Sequence, residues 1–396
     1  MNTTEKFVAK TYAGLENILL EELELLGAKN CKLSTRAVLF EGDKDTMYRA
    51  NYFCRYALRI LWQVSTFTFR DNKQFYEEIY KFPAEKVLKS DGTLAFSVTM
   101  KDSIFATPLF AAQLAKDAVC DRFREKYDER PSVRKDNPDV QFHLHIMGNS
   151  ATLFLDSSGE PLYRRGYRVA SHPAQISEVI AAAMVKLSGW KGDCDLIDPM
   201  CGSGTILIEA AMAALNVPAG FFRRNFGFYH WKTFDRQRWE HIQDEADIHD
   251  DVPVNFYGSD ISGRFIGMAK DNIREARLED FIHVRRCPMT ESSPVRTPAF
   301  VIFNPPYGER LDMEDIEQAY KEMGDVLKQH YTGCTAFIIS SNINALKNIG
   351  LHASKRITLY NGALECKFLR FDLYKGSKGG DHHLPENEIA TNKKIV

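Results

Sequence analysis

Asp195-Leu-Ile-Asp-Pro-Met-Cys-Gly-Ser-Gly-Thr-Ile-Leu-Ile-Glu-Ala210 is the stretch whose reading decides the fold. Leu196 and Ile197 read as the end of a buried strand, and Ile206, Leu207 and Ala210 open a helical period. Gly202 and Gly204 bracket Ser203 where the backbone has to pass close to a ligand. The free N–H groups at the start of the following helix favour an anion or a polar ligand edge. A strand, a glycine turn and a helix in this order predict an α/β fold with a nucleotide-like ligand.

A second stretch works with the first. Ala299-Phe-Val-Ile-Phe303 is a short apolar strand that runs into Asn304-Pro305-Pro306-Tyr307-Gly308. Two prolines fix φ and remove two donors, so the segment is a rigid turn. Asn304 offers an amide oxygen, Pro305 and Pro306 keep carbonyl acceptors, and Tyr307 offers a flat stacking face. Acceptors beside a stacking plate suit an exocyclic amine on a planar base. A third element is Val254–Tyr257, a strand ending in Gly258-Ser-Asp260, whose carboxylate can accept both hydroxyls of a ribose. Position 207 is Leu, so the Gly-x-Gly-x-x-Gly fingerprint of dinucleotide folds is incomplete and no pyrophosphate cradle is expected.

Asp198-Pro-Met-Cys-Gly-Ser-Gly-Thr205 followed by Asn304-Pro-Pro-Tyr-Gly-Glu-Arg-Leu311 resembles the class I S-adenosyl-L-methionine-dependent methyltransferases that act on exocyclic nitrogens of nucleobases. More closely, the chain resembles the THUMP-domain RNA methyltransferases of the RlmL type, which make N2-methylguanine in 23S ribosomal RNA. The resemblance spans about Lys6 to Lys375. It implies a class I methyltransferase Rossmann-like seven-stranded sheet, mostly parallel with a C-terminal antiparallel hairpin, preceded by α+β ferredoxin-like and THUMP domains. It implies S-adenosyl-L-methionine held by Asp198, Pro199, Cys201, Gly202, Ser203, Gly204, Thr205, Asp260, Ile261, Pro288, Met289 and Asn304. Catalysis falls to Asn304, Pro305, Pro306 and Tyr307. Relatives often carry an aspartate after the third strand to read adenine. Here Cys287-Pro-Met-Thr290 has none, so a backbone group, Thr290 or Glu291 is expected to substitute. Guanine N2 of transfer RNA, adenine N6 of DNA or RNA, and a noncatalytic RNA-binding assembly factor stay open as alternatives.

The chain of 396 residues, 44% hydrophobic, is long enough for two or three domains. The expected division is residues 1–66, a ferredoxin-like unit; 67–160, the THUMP unit; 161–375, the methyltransferase; and 376–396, a polar, disordered tail. The first unit reads as βαβ-like: a strand at Phe7–Thr11, a helix at Gly14–Leu26, a strand at Val38–Phe40, a helix at Asp43–Tyr52 and one or two strands in Ala57–Phe69. The second shows helices at Lys73–Phe82 and Pro108–Tyr127 and strands at Thr93–Met100, Gln141–Ile146 and Ala151–Leu155. Eight scattered cysteines include no Cys-x-x-Cys pair, which speaks against a zinc site and fits reduced, cytoplasmic thiols. No apolar run reaches membrane-spanning length and no signal-type block follows Met1.

Net charge is −2, so an RNA surface has to be a local patch. Leu162-Tyr-Arg-Arg-Gly-Tyr-Arg168 offers Arg164, Arg165 and Arg168 to phosphate. Phe221-Phe-Arg-Arg-Asn-Phe-Gly-Phe-Tyr-His-Trp231 interleaves aromatics with Arg223 and Arg224; the aromatics are expected to pack on one another and the arginines to face RNA. Arg310 completes the set of expected RNA contacts. Neither a metal nor a covalent cysteine is required; Cys201 is expected to pack.

Overall fold

The computed structural model describes residues 4–171, 175–306 and 313–375, and its strands fall into two sheets. The N-terminal sheet contains β1 (Glu5–Lys10), β2 (Lys29–Ser34), β3 (Ala37–Gly42), β4 (Arg59–Thr68), β5 (Thr93–Lys101), β6 (Ser132–Val133), β7 (Val140–Met147) and β8 (Ser150–Asp156). Their order is β2-β3-β1-β4-β8-β7-β5-β6. Helices α1 (Glu16–Leu25), α2 (Lys44–Phe53), α3 (Asn72–Lys81) and α4 (Pro108–Tyr127) contribute to one core with Phe7, Phe40 and Phe142 of this sheet. Their starts are coded locally: Asp43 and Thr46 form a capping box on α2, and Thr107 caps α4 with Pro108 in its first turn.

β4 crosses the division expected at residues 66 and 67. It is hydrogen-bonded to β1 on one side and β8 on the other, so one sheet runs through both N-terminal units. A bulge between Gln63 and Ser65 lets this single ten-residue strand serve both neighbours. β2 carries no apolar alternation and is exposed over nearly its whole length; its ladder to β3, not its side chains, makes it a strand.

The second sheet contains β9 (Asp195–Asp198), β10 (Phe256–Asp260), β11 (Ile282–Arg286), β12 (Ala299–Phe303), β13 (Thr335–Ser340), β14 (Lys355–Asn361) and β15 (Leu364–Asp372). Its order is β11-β10-β9-β12-β13-β15-β14, with β11 to β13 parallel and the β14–β15 hairpin antiparallel. The connecting helices are α5 (Glu178–Ser188), α6 (Thr205–Ala214), α7 (Arg236–Asp244), α8 (Gly263–Glu275), α9 (Met313–His330) and α10 (Ile343–Lys347). The strand order reverses between β9 and β12, and the carboxyl ends of those two strands are where an open α/β sheet binds ligands. Among the described residues, no helix is long and apolar enough to cross a membrane.

The two sheets are joined by packed aromatics. Trp239 of α7 meets Tyr48 at 5.6 Å and Tyr52 at 5.4 Å, both on α2, as well as Phe226 and Phe228. The aromatic-basic segment 221–239 is thus a shared core between the N-terminal unit and the methyltransferase sheet, and its rings are not a stacking platform.

Candidate active site

β9 is buried at all four positions, and its carboxyl end delivers the glycine turn. Gly202 has φ +52 and Gly204 φ +82, left-handed values that favour glycine. Gly204 is the residue before α6. Asp260 at the end of β10 fixes the turn: its Oδ2 accepts the Gly202 N–H at 3.0 Å, and its Oδ1 accepts Ser262 N–H at 2.8 Å. Each oxygen keeps a lone pair for a further donor. Next to it, Ile261 is 69% exposed, while its carbonyl is held by Arg286 Nε at 3.0 Å. A fixed, exposed apolar side chain beside a carboxylate suits a nucleoside face and ribose. Pro288 is half-buried and Met289 buried in the turn after β11; Thr290 and Glu291 are exposed.

Leu207 occupies the place of the missing third glycine for a steric reason. A Cβ on Gly258 of β10 would lie 2.5 Å from Leu207 Cδ1 and 3.1 Å from Cys201 Sγ. The close approach of helix and strand is provided by a glycine on the strand, so the helix can carry a leucine. Asp198 is buried, with the Met200 N–H at 3.1 Å, and burial followed by the Asp260 charge pushes its carboxyl well above the ordinary range. Burial, then Asp198 and Asp260, likewise hold Cys201 as a thiol. Two carboxyl groups facing one glycine turn fit a ligand that carries an ammonium and a ribose but no phosphate.

On the other side of the switch point, Asn304 follows β12. Its Oδ1 is buried and has no hydrogen-bond partner among the described residues. Pro305 is buried and Pro306 exposed. Tyr320 of α9, 1% exposed, approaches the Pro306 carbonyl at 3.3 Å and the Ser340 Oγ at 2.7 Å. This tether of the turn comes from outside both sequence motifs. Tyr307 and Arg310 lie outside the described residues.

The basic residues behave differently from the expectation. Arg165 is 1% exposed; it donates to the Leu162 carbonyl at 3.0 Å and the Arg55 carbonyl at 2.5 Å and lies 3.5 Å from Glu209. Arg168 pairs with Glu178 at 2.7 Å and reaches Ser203 Oγ at 3.3 Å and Thr205 Oγ1 at 3.1 Å. Arg223 is buried and donates to the carbonyls of Pro161, Arg164, Ser158 and Glu160. These three are corrections: their guanidinium groups are held by backbone carbonyls, by Glu178 and by the glycine turn, so they do not face phosphate. Gly166 shows how tightly the segment is threaded, since a Cβ there would lie 2.1 Å from the Phe222 carbonyl oxygen. Arg164 and Arg224 remain exposed, near Glu160 and Glu275. Asn272 completes the anchoring: its side chain binds Val169 N–H and the Ala170 and Ser203 carbonyls.

A glycine turn braced by a carboxylate, and an Asn-Pro-Pro turn on the strand beside it, define the site of a methyltransferase whose methyl donor is S-adenosyl-L-methionine. The chain belongs to the RMKL-like methyltransferase family: the model for that methyltransferase domain matches residues 165–370, a THUMP domain matches 69–156, and an RlmL ferredoxin-like domain matches 6–61. The chain is 37% identical to "Ribosomal RNA large subunit methyltransferase K/L" of Methylococcus capsulatus, over 94% of this chain and 52% of that protein. It thus spans about half the length of that relative. A Synechocystis sp. chain named "Putative RNA methyltransferase slr0064" is 35% identical over 94% of this chain and 98% of its own length. The crystal structure of "SMU.472, a putative methyltransferase complexed with SAH" superposes with TM-score 0.83 at 29% identity, covering 95% of this chain and all of that one.

Proposed function

We propose that this chain transfers the methyl group of S-adenosyl-L-methionine to the exocyclic N2 amine of a guanine in RNA, with 23S ribosomal RNA as the substrate. The observation that carries the reading is the buried Asn304 Oδ1, without a hydrogen-bond partner among the described residues, at the carboxyl end of β12, one strand from the glycine turn. Burying an amide oxygen without a donor costs about 1–3 kcal/mol, and an incoming amine N–H removes that cost. The names of the K/L relatives, which specify ribosomal RNA of the large subunit, support the choice of RNA.

The bound donor supplies an electrophilic methyl on a sulfonium, already a good leaving group. The protein's share is alignment. Asn304 Oδ1 and the Pro305 carbonyl accept hydrogen bonds from the two amine N–H groups, which turns the nitrogen lone pair out of conjugation, and one of those hydrogens is released to solvent as a proton once the nitrogen is methylated. The Tyr320 hydroxyl, shared with Ser340, holds the Pro306 carbonyl and so fixes the pitch of the turn. Tyr307 stacks on the flipped base, an interaction worth about 1–3 kcal/mol.

The test is nucleoside mass spectrometry of 23S, 16S and transfer RNA from cells with and without the gene, and with Asn304→Ala. The expected result is loss of N2-methylguanosine from 23S RNA in both the deletion and the Asn304→Ala strain. Loss from transfer RNA alone moves the substrate. Loss of N6-methyladenine instead overturns the amine assignment. A phenotype retained by Asn304→Ala with no change in any nucleoside identifies an assembly factor.

A further inference from the structure

An adenine ring offers two kinds of polar group along its edge: an exocyclic amine that donates and ring nitrogens that accept. The turn after β11, Cys287-Pro-Met-Thr290, holds no carboxylate to accept from the amine. Much of its backbone is already paired. Cys287 N–H donates to the Asp260 carbonyl at 3.1 Å, Pro288 has no N–H, and the Pro288 carbonyl accepts the Glu291 N–H at 3.0 Å. Thr290 and Glu291 are exposed. The residue just before the turn is Arg286, whose side chain is made only of donors.

Strand register carries Arg286 to the nucleoside side of the site. β10 and β11 are parallel neighbours with Asp260 opposite Arg286, so the two side chains leave the sheet on one face. Phe256 and Ile282 enter the core on that same face, and the glycine turn lies over it: a Cβ on Gly258 would lie 2.9 Å from Val284 Cγ1 and 3.1 Å from Cys201 Sγ. The Arg286 side chain is held at two points. Its Nε donates to the Ile261 carbonyl at 3.0 Å, and its Cδ lies against Gly263, 3.6 Å from where a Cβ would stand. The guanidinium plane is therefore fixed beside Ile261, although the residue is exposed. The N–H groups on its two terminal nitrogens have no partner among the described residues.

We propose that Arg286 reads the adenine of S-adenosyl-L-methionine by donating to one ring nitrogen, N1 or N7, and that the amine goes unread. A carboxylate selects adenine by accepting from its amine. A guanidinium cannot accept, so selection passes to the ring lone pairs. Ile261 supplies the apolar contact for the ring and Asp260 the acceptor for the ribose, and Arg286 completes the nucleoside pocket from the edge strand of the sheet. The inference rests on the cofactor and on the roles given above to Asp260 and Ile261. It depends on neither the RNA nor the acceptor amine proposed for the chain.

The test is calorimetric binding of S-adenosyl-L-homocysteine and three analogues to the full chain and to its Arg286→Ala variant. One analogue carries unsubstituted purine in place of adenine and so lacks the amine; the other two replace N1 or N7 by C–H. Removing the amine is expected to change the dissociation constant of the unaltered chain by less than about threefold. Removing the nitrogen that Arg286 meets should weaken binding about tenfold, and removing the other should matter little. Arg286→Ala should lose about tenfold on S-adenosyl-L-homocysteine and nothing further on the analogue that lacks the partner nitrogen. A tenfold loss on removing the amine overturns the proposal and assigns the reading to an acceptor such as Thr290 or Glu291. An equal loss for Arg286→Ala on all four compounds overturns it too, since a residue that only braces the Ile261 carbonyl behaves that way. Melting temperature serves as the folding control. If the variant unfolds, the analogue series on the unaltered chain still decides, because tenfold dependence on the amine or on neither ring nitrogen rules the proposal out. A chain that binds none of the four compounds overturns the cofactor site and the proposal with it.

Discussion

The linker Leu162–Arg168 and the open face of the N-terminal sheet are both basic, and they use their charge in opposite ways. In the linker three arginines lie close in sequence, yet Arg165 is sealed against Glu209 and backbone carbonyls, and Arg168 braces the glycine turn. On the sheet the cations come from segments as far apart as β1 and β5, yet Lys10, Lys32, Arg36 and Lys101 come to one face and make no ion pair among the described residues. Clustering along the chain therefore does not predict a free basic surface. A guanidinium has five donors in a rigid fork, and a segment threaded between two sheets exposes carbonyls that only such a group can satisfy.

The sharpest way to break the comparison is Arg165→Ala. With Arg165 1% and Glu209 0% exposed, the substitution leaves a buried carboxylate without its nearest cation, its one hydrogen bond among the described residues coming from the Tyr167 hydroxyl, and about 3–5 kcal/mol of stability should be lost. A urea midpoint close to that of the unaltered chain would show that the linker arginine is dispensable after all. Arg168→Ala should act on the cofactor more than on the fold: loss of its hydrogen bonds to Ser203 and Thr205 is expected to weaken S-adenosyl-L-methionine binding roughly tenfold, read by calorimetry. Arg168→Lys should recover only part of this, because an ammonium cannot span Glu178, Ser203 and Thr205 together.

A smaller effect concerns the sheet face. His143 is held below its ordinary value, so the folded chain keeps it neutral while the unfolded chain takes up a proton first. Stability should therefore fall as pH drops from about 6.5 towards 4, and His143→Gln should flatten that loss in denaturant titrations. Lys10, Arg59 and His145 are the charged groups facing this ring, and each opposes its protonation. Smallest of all, Arg164→Ala and Arg224→Ala, whose side chains are 58% and 91% exposed, should each change stability by less than about 0.5 kcal/mol in the same assay.

The glycine turn and the Asn-Pro-Pro turn were legible because their constraints are local. Left-handed φ at Gly202 and Gly204, and missing donors at Pro305 and Pro306, are properties of the residues themselves. The carboxylate of Asp260 was legible for the same reason, as a polar residue ending a short apolar strand. Its bond to the Gly202 N–H was not, since it joins residues 58 positions apart. Tyr320 and Ser340 gave no signal at all: one is an aromatic at a helical core position, the other the end of a buried strand, and only their meeting at the Pro306 carbonyl gives them a role. β2 was missed because an exposed edge strand has no hydrophobic period to betray it.

The class of chemistry and the two turns that carry it were readable in the residues, and the seven-stranded sheet behind them came from the resemblance those turns carry. Backbone conformational freedom, donor count and hydrophobic period are written one residue at a time. Which charges are free emerged only once distant segments had packed together. The fate of an arginine depends on which carbonyls and carboxylates arrive from distant segments, and the fusion of two N-terminal units through β4 depends on a pairing with β8 that lies about ninety residues downstream.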